Sequence, residues 1–447
     1  MLVTLSLHSW MACSTNSASW LSHGFLISTS NKSLSRLFKP TTTTFCCFNN
    51  STPSSSLSKK AVSSEPEICR SWVEADDAHL VLPLLSQARF KVVSYNILGD
   101  KNASKHKDLY LNVPSSYMNW GRRNKLIQDE LTGWDPDIIC LQEVDKYYDL
   151  SFSLEKAGYL GSYKRRTGDM VDGCAMFWKS DKFRLIDKEN IEFKQFGLRD
   201  NVAQLSVFEM CRDESLRIVV GNIHVLFRPS RGEIKIGQIR LLSSKAHDLS
   251  KKWGNIPVVL AGDYNSTPQS EIYEFISSSE LNVMLHDRRD LSGQKRCHPN
   301  DLLSAKREKS YQINLIDRFK YYRSSKACWT NEELKVATGT TDTHVAVHPL
   351  KLSSSYSTVQ GSMATRDSIG EPLATSYHSK FLGTVDYLWH TSDLKPTRVM
   401  DTVPIDILQK TRGLPSKNLG SDHLALISEF AFLRTPESIS RNLSLEK

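Results

Sequence analysis

The chain has 447 residues, 40% hydrophobic and 24% charged, with a net charge of +8. This ordinary globular usage excludes collagen-like and fully disordered classes, and no run of about 18 apolar residues marks a transmembrane helix. Five of the positive charges (Lys32, Arg36, Lys39, Lys59, Lys60) fall in residues 1–64, which hold no Asp or Glu, so any polyanion site must be local rather than a property of the whole surface.

Residues 1–64 are a different material from the rest. Ser and Thr make up 25 of them, with no period that builds a core. An acid-poor, Ser-rich, weakly basic start is expected to act as a transit peptide to a mitochondrion or chloroplast, with cytoplasm and nucleus as the alternative. The expected organisation is a disordered tail over 1–64, a linker over 65–87, one main domain over 88–432 and a short tail over 433–447. The nine cysteines are scattered and form no C-x-x-C pair, which argues against structural zinc or a disulfide scaffold and fits a reducing compartment.

Periodic structure begins near residue 89. The residues 90–98 (FKVVSYNIL) predict a strand. A helix is expected over 122–131, where Leu126, Ile127 and Leu131 can share a face. Strands follow over 138–144, 173–178 and 217–226. A second helix is expected over 234–251, with Ile236, Ile239, Leu242, Ala246 and Leu249 as its apolar set. The run 256–261 (IPVVLA) reads as a buried strand, and 384–389 and 423–432 as the last two. Between about 290 and 380 the pattern is loop-rich. Many strands with few helices predict an α/β class: two packed β-sheets flanked by helices.

Polar residues sit at the ends of these apolar runs, where burial without a partner costs several kcal/mol. Asn96, Glu143, Asp263, Asn265 and Asp422 together offer hard oxygen ligands suited to Mg²⁺, with Mn²⁺ possible. His224 and His423 would then face phosphate oxygens or move protons. Such a set performs metal-assisted hydrolysis of phosphate esters.

The runs SYNIL (94–98), LQEV (141–144), DGCAMFW (172–178), GNIHV (221–225), GDYNSTP (262–268), GTVDYLW (383–389) and SDH (421–423) resemble, in order, the motifs of the endonuclease/exonuclease/phosphatase superfamily with its DNase I-like fold. The likeness spans 88–432. It is nearest to plant carbon catabolite repressor 4-type poly(A) deadenylases, which are related to nocturnin.

The resemblance implies a Mg²⁺-dependent 3′→5′ exoribonuclease that shortens poly(A) and releases 5′-AMP. Its partner is the 3′ end of single-stranded RNA, with no membrane involved. Glu143 then corresponds to the main metal ligand, with Asn96 beside it and Asp422 nearby. Asp263 orients the attacking water, Asn265 positions the phosphate, and His224 binds it. His423 handles the proton and is oriented by Asp386. Pro229 and Phe381 would hold the terminal adenine, and Asn201 would line the substrate site. The alternatives are a nocturnin-like NADP(H) 2′-phosphatase, a lipid or inositol phosphatase, and an inactive RNA-binding scaffold. Leucine-rich repeats, which dock the founding deadenylases into the NOT complex, are absent, which argues against that partnership.

Overall fold

The computed structural model describes residues 68–76, 88–299 and 329–433. The tail expected over 1–64, and all but one residue of that over 433–447, lie outside the described residues.

Two sheets form the body. The first has seven strands in the order β1 (Trp72–Glu74), β16 (Leu394–Met400), β17 (Leu426–Phe432), β2 (Arg89–Asn96), β3 (Ile138–Gln142), β5 (Gly173–Lys179) and β4 (Tyr159–Arg165). The second has six: β12 (Ser353–Ser354), β15 (Asp386–His390), β9 (Val258–Asp263), β8 (Asp213–His224), β7 (Val202–Met210) and β6 (Phe183–Glu192). Two short antiparallel pairs complete the set among the described residues: β10 (Glu280–Asn282) with β11 (Val345–Val347), and the hairpin of β13 (Ser376–His378) with β14 (Phe381–Gly383).

The inner faces of the two sheets share one core. Phe90, Val92, Ile138 and Phe430 of the first meet Phe208, Val220, Val259 and Leu388 of the second. The outer faces are covered by helices. Val93, Ile139 and Phe177 pack with Ile127 and Leu131 of α2 (Trp120–Trp134), and with Leu150 and Leu154 of α3 (Tyr147–Lys156). Across the second sheet lies α4 (Gly232–Lys252), which contributes Ile236, Ile239, Leu242 and Ala246. Strands buried on both faces read as unbroken apolar runs, which is why β3 (IICLQ) is buried throughout.

The expected sandwich is therefore present, with differences in detail. The stretch 65–87, expected as linker, supplies the edge strand β1, which pairs antiparallel with β16. Three residues carry too little pattern to be seen without that distant partner. Strands β4, β6 and β16 and helix α3 were not anticipated from the sequence. The strand expected over 423–432 starts at Leu426, leaving His423 in the preceding loop. The loop-rich stretch 290–380 holds only short elements among the described residues, of which α6 (Asn331–Thr338) is the longest.

One buried acid outside the site gives a stability test. Glu371 accepts from Tyr273 Oη at 2.8 Å, and burial pushes it up to about 7 from 4.5. Between these values the folded chain keeps a proton that the unfolded chain releases, so this residue's contribution to stability falls as pH rises through the window. Glu371→Gln is expected to be more stable than wild type at pH 8, by up to about 3 kcal/mol, with the difference vanishing below pH 4.5. Urea unfolding at the two pH values measures it; a difference that ignores pH would contradict the assignment.

Candidate active site

Strand register builds the site. Within the second sheet, His224 of β8 pairs with Asp263 of β9, and Asp263 pairs with Asp386 of β15, so three functional side chains share one row. Gly262 permits that alignment: a Cβ there would lie 2.2 Å from the carbonyl oxygen of Ile223. In the first sheet, Asn96 pairs with Gln142, which places it beside Glu143 at the end of β3.

The two sheets meet through Asn96. Its Nδ2 donates to Glu143 Oε1 at 3.1 Å and to Asp263 Oδ2 at 3.0 Å, while its Oδ1 accepts from the backbone N of Leu98 at 3.1 Å. That last bond identifies which amide atom is oxygen, because a backbone N–H needs an acceptor. Asn96 was expected to offer an oxygen to the metal. Here it presents its nitrogen to two carboxylates and ties them together.

Glu143 also accepts from Asn102 Nδ2 at 2.9 Å and from the Gly99 N at 3.2 Å. Its backbone is left-handed, with φ of 57°, as are Leu98 (54°) and Asn265 (48°). Such conformations cost about 1–3 kcal/mol each and cluster where function requires them.

His423 Nδ1 lies 2.8 Å from Asp386 Oδ2, which also accepts from Thr375 Oγ1 at 2.6 Å. Its Nε2 is 4.0 Å from Asp263 Oδ2, and His224 Nε2 is 3.4 Å from the same atom. The two imidazoles are pushed in opposite directions. Burial works against a charged His423, but Asp386, Asp422 and Asp263 outweigh it and hold the ring well above its ordinary range. Burial, aided by Arg166, pushes His224 down to about 3. Burial and the neighbouring Asp386 push Asp263 up to about 7.

Glu143, Asp263, Asn265, His224, Asp422 and His423 line one cavity of about 610 Å³, as do Pro229 and Phe381. Three expected residues stand behind it. Asn96 and Asp386 act through their neighbours. Asn201, expected to touch substrate, is buried and donates from Nδ2 to the carbonyl oxygen of His224 at 2.9 Å, so it buttresses that histidine instead. Asp422 faces the cavity but is engaged by Tyr110 Oη at 2.8 Å. Of Lys164, Arg165 and Arg166, which are adjacent in sequence, only Arg166 lines the cavity, 3.5 Å from Asp172.

The donor set fits a divalent cation. Glu143, Asp263 and Asp422 face one cavity, and among the described residues no Lys or Arg forms an ion pair with any of them. Asp263, Asp386 and His423 also bring ligand-type atoms within 4.8 Å of one another. The bond between His423 and Asp386 uses one atom of each, whereas Glu143 is bonded to no imidazole, so Glu143 is the better anchor.

Several participants were missed. Asn102 lies in a six-residue helix (Asp100–Lys105) and Tyr110 and Thr375 in loops, with no pattern to flag them. Lys235 carried a signal: it sits four and seven positions before Ile239 and Leu242, on the inner face of α4, where a charge is out of place. Burial pushes it down to about 7, against the pull of Asp263.

A two-sheet sandwich with this carboxylate, amide and imidazole set at one rim defines a metal-assisted phosphate-ester hydrolase. A model of the endonuclease/exonuclease/phosphatase family matches residues 93–423, and the chain belongs to that family. Within it, the chain is of the carbon catabolite repressor 4 type. It is 54% identical over 434 residues to carbon catabolite repressor protein 4 homolog 3 of Arabidopsis thaliana, covering 96% of this chain and 91% of the relative. It is 51% identical over 356 residues to homolog 5 of the same plant, covering 76% and 77%. Among solved structures, ANGEL2, described as a 2′,3′-cyclic phosphatase in complex with adenosine-2′,3′-vanadate, is 28% identical with a TM-score of 0.64, covering 83% of this chain and all of that one. The human nocturnin catalytic domain shares the fold at 20% identity and a TM-score of 0.50, covering 81% and 97%. No helix among the described residues is long and apolar enough to cross a membrane.

Proposed function

We propose that this chain is a Mg²⁺-dependent 3′→5′ exoribonuclease that shortens poly(A) and releases 5′-AMP. The observation that carries this reading is that Pro229 and Phe381 line the same cavity as Glu143, Asp263 and His423. A base held by an aromatic face and a proline would sit beside the hydrolytic groups. Phe227 lines the same cavity and is 58% exposed, offering an open aromatic face to a second base. The likeness over nearly the whole chain to carbon catabolite repressor protein 4 homolog 3 supports the same class.

In this reading Glu143 would hold a divalent cation, which supplies positive charge against the phosphoryl oxygens. His423, kept protonated by Asp386, donates from Nε2 to a non-bridging oxygen. Asn265 orients the phosphate through its amide N–H. Asp263 accepts a hydrogen bond from the attacking water and takes its proton. The water oxygen bonds to phosphorus as the bond to the 3′-oxygen of the preceding nucleotide breaks; that oxygen takes a proton from solvent, and Asp263 returns its own to solvent afterwards. The products are 5′-AMP and RNA one residue shorter, with a 3′-hydroxyl. Preorganised charge in a buried site supplies most of the acceleration.

A second reading is favoured by the likeness to ANGEL2: removal of a 2′,3′-cyclic phosphate from an RNA end, with the same groups facing the ring phosphate. One assay separates them. The protein with Mg²⁺ is given a 5′-labelled oligoadenylate, an RNA ending in a 2′,3′-cyclic phosphate, and NADPH. A shortening ladder with AMP release supports the deadenylase. Opened cyclic ends at constant length favour the second reading, and phosphate release from NADPH alone would overturn both. Chelation by EDTA should abolish the ladder, and Mg²⁺ should restore it. Phe381→Ala is expected to raise KM on oligoadenylate by about 5- to 150-fold, the loss of roughly 1–3 kcal/mol of stacking; an unchanged KM would remove this residue from the base site.

Organelle delivery by residues 1–64 belongs to the same proposal. A fluorescent fusion of that segment tests it, and diffuse cytosolic signal would count against it.

A further inference from the structure

Asn265 holds a left-handed backbone in the loop after β9, and its carboxamide is aimed from both ends. Its Nδ2 donates to the carbonyl oxygen of Val225 at 3.0 Å, and its Oδ1 accepts from Gln294 Nε2 at 3.0 Å. One N–H of the amide is left for a ligand in the cavity. Behind this arrangement lies Lys235, buried on the inner face of α4. Its Nζ donates to the carbonyl oxygen of Asn265 at 2.6 Å, to Gln294 Oε1 at 2.8 Å and to the carbonyl oxygen of Phe227 at 3.4 Å. Three N–H bonds thus reach three separate segments: the loop that carries Pro229, the loop that carries Asn265, and the turn Gln294–Arg296.

The position is costly to fill this way. Among the described residues no carboxylate forms an ion pair with Lys235, so a buried ammonium is satisfied by neutral oxygens alone. Burial of an uncompensated charge is strongly unfavourable, and a methionine or leucine would continue the apolar face of Ile239 and Leu242. Packing therefore gives no reason for a lysine here. The cavity does, because its three donors reach the two loops whose separation sets where base and phosphate lie.

We propose that Lys235, acting with Gln294, is a positioning residue that aims the amide of Asn265 at the scissile phosphate and fixes the Pro229 loop relative to it. The proposal rests on the reading of Asn265 as a phosphate-orienting group. Lys235 itself touches neither substrate nor metal.

The test is a double-mutant cycle on oligoadenylate cleavage with Mg²⁺, using Lys235→Met, Asn265→Ala and the double variant, with thermal melting read separately. Each single variant is expected to lose kcat on the order of 100-fold, the scale of a misplaced reacting group. In kcat the double variant is expected to fall no more than about threefold below Asn265→Ala, because the effect of Lys235 on the phosphate runs through the residue already removed, while its hold on the Pro229 loop reads out in KM. Losses that multiply would overturn the inference and leave the reading of Asn265 standing. Full kcat in Asn265→Ala would overturn both. If Lys235→Met does not fold, Gln294→Leu takes its place in the cycle; the same non-additivity is expected, and full kcat in that variant would overturn the inference.

Discussion

Glu143→Gln is expected to lose roughly a thousandfold in kcat, about 4 kcal/mol in the activation barrier, with little change in melting temperature. The substitution keeps the size of the side chain and an oxygen for the N–H of Gly99 and the amide of Asn102, and removes the charge together with the acceptor for Asn96 Nδ2. Its second readout is the metal. Wild type should melt at higher temperature when Mg²⁺ is added, because among the described residues no Lys or Arg pairs with the three carboxylates that face the cavity. In Glu143→Gln that rise should shrink or vanish. A variant that retains both the wild-type rate and the Mg²⁺ response would remove Glu143 from the metal site.

The second large effect concerns the pair of His423 and Asp386. His423→Ala is expected to cost on the order of 10²- to 10⁴-fold in kcat, the range for a positioned proton donor. Asp386→Asn is the more informative change. The carboxylate 2.8 Å from Nδ1 helps hold the imidazole above its ordinary range, against burial. Without it the ring loses its proton at lower pH. The alkaline fall of the rate profile should therefore move to lower pH in Asp386→Asn, and its rate at pH 8 should drop more than its rate at pH 6. A parallel drop at all pH values would mean that Asp386 orients the ring without setting its charge.

The sandwich and the rim of its site were legible because the strands that carry them are apolar runs ending abruptly in a polar residue. IICLQ followed by Glu143, and VVLAGD ending in Asp263, announce both a buried strand and its exit. Strand β6 (FRLIDKENIE) gave no such signal, since its outer residues are charged and its alternation is broken by a bulge between Leu185 and Asp187. Strand β1 exists only because β16 lies beside it, more than 300 residues away. The identities of the site residues were readable, but not which atom each presents. Asn96 has an oxygen and a nitrogen to offer, and only its neighbours' backbone decides between them. Asn201 stands next to the site in sequence logic, yet its amide serves the main chain of His224. Lys235 was missed although it was legible: it is a charge on a helix face that hydrophobic periodicity assigns to packing.

The single amide of Asn96 bonds a carboxylate from each half of the sandwich. Neither half alone contains a working centre, since Glu143 belongs to one and Asp263, His224 and Asp386 to the other. Turnover is therefore a reporter of late assembly: during refolding, secondary structure can return early, but the first catalytic event has to wait for the halves to dock.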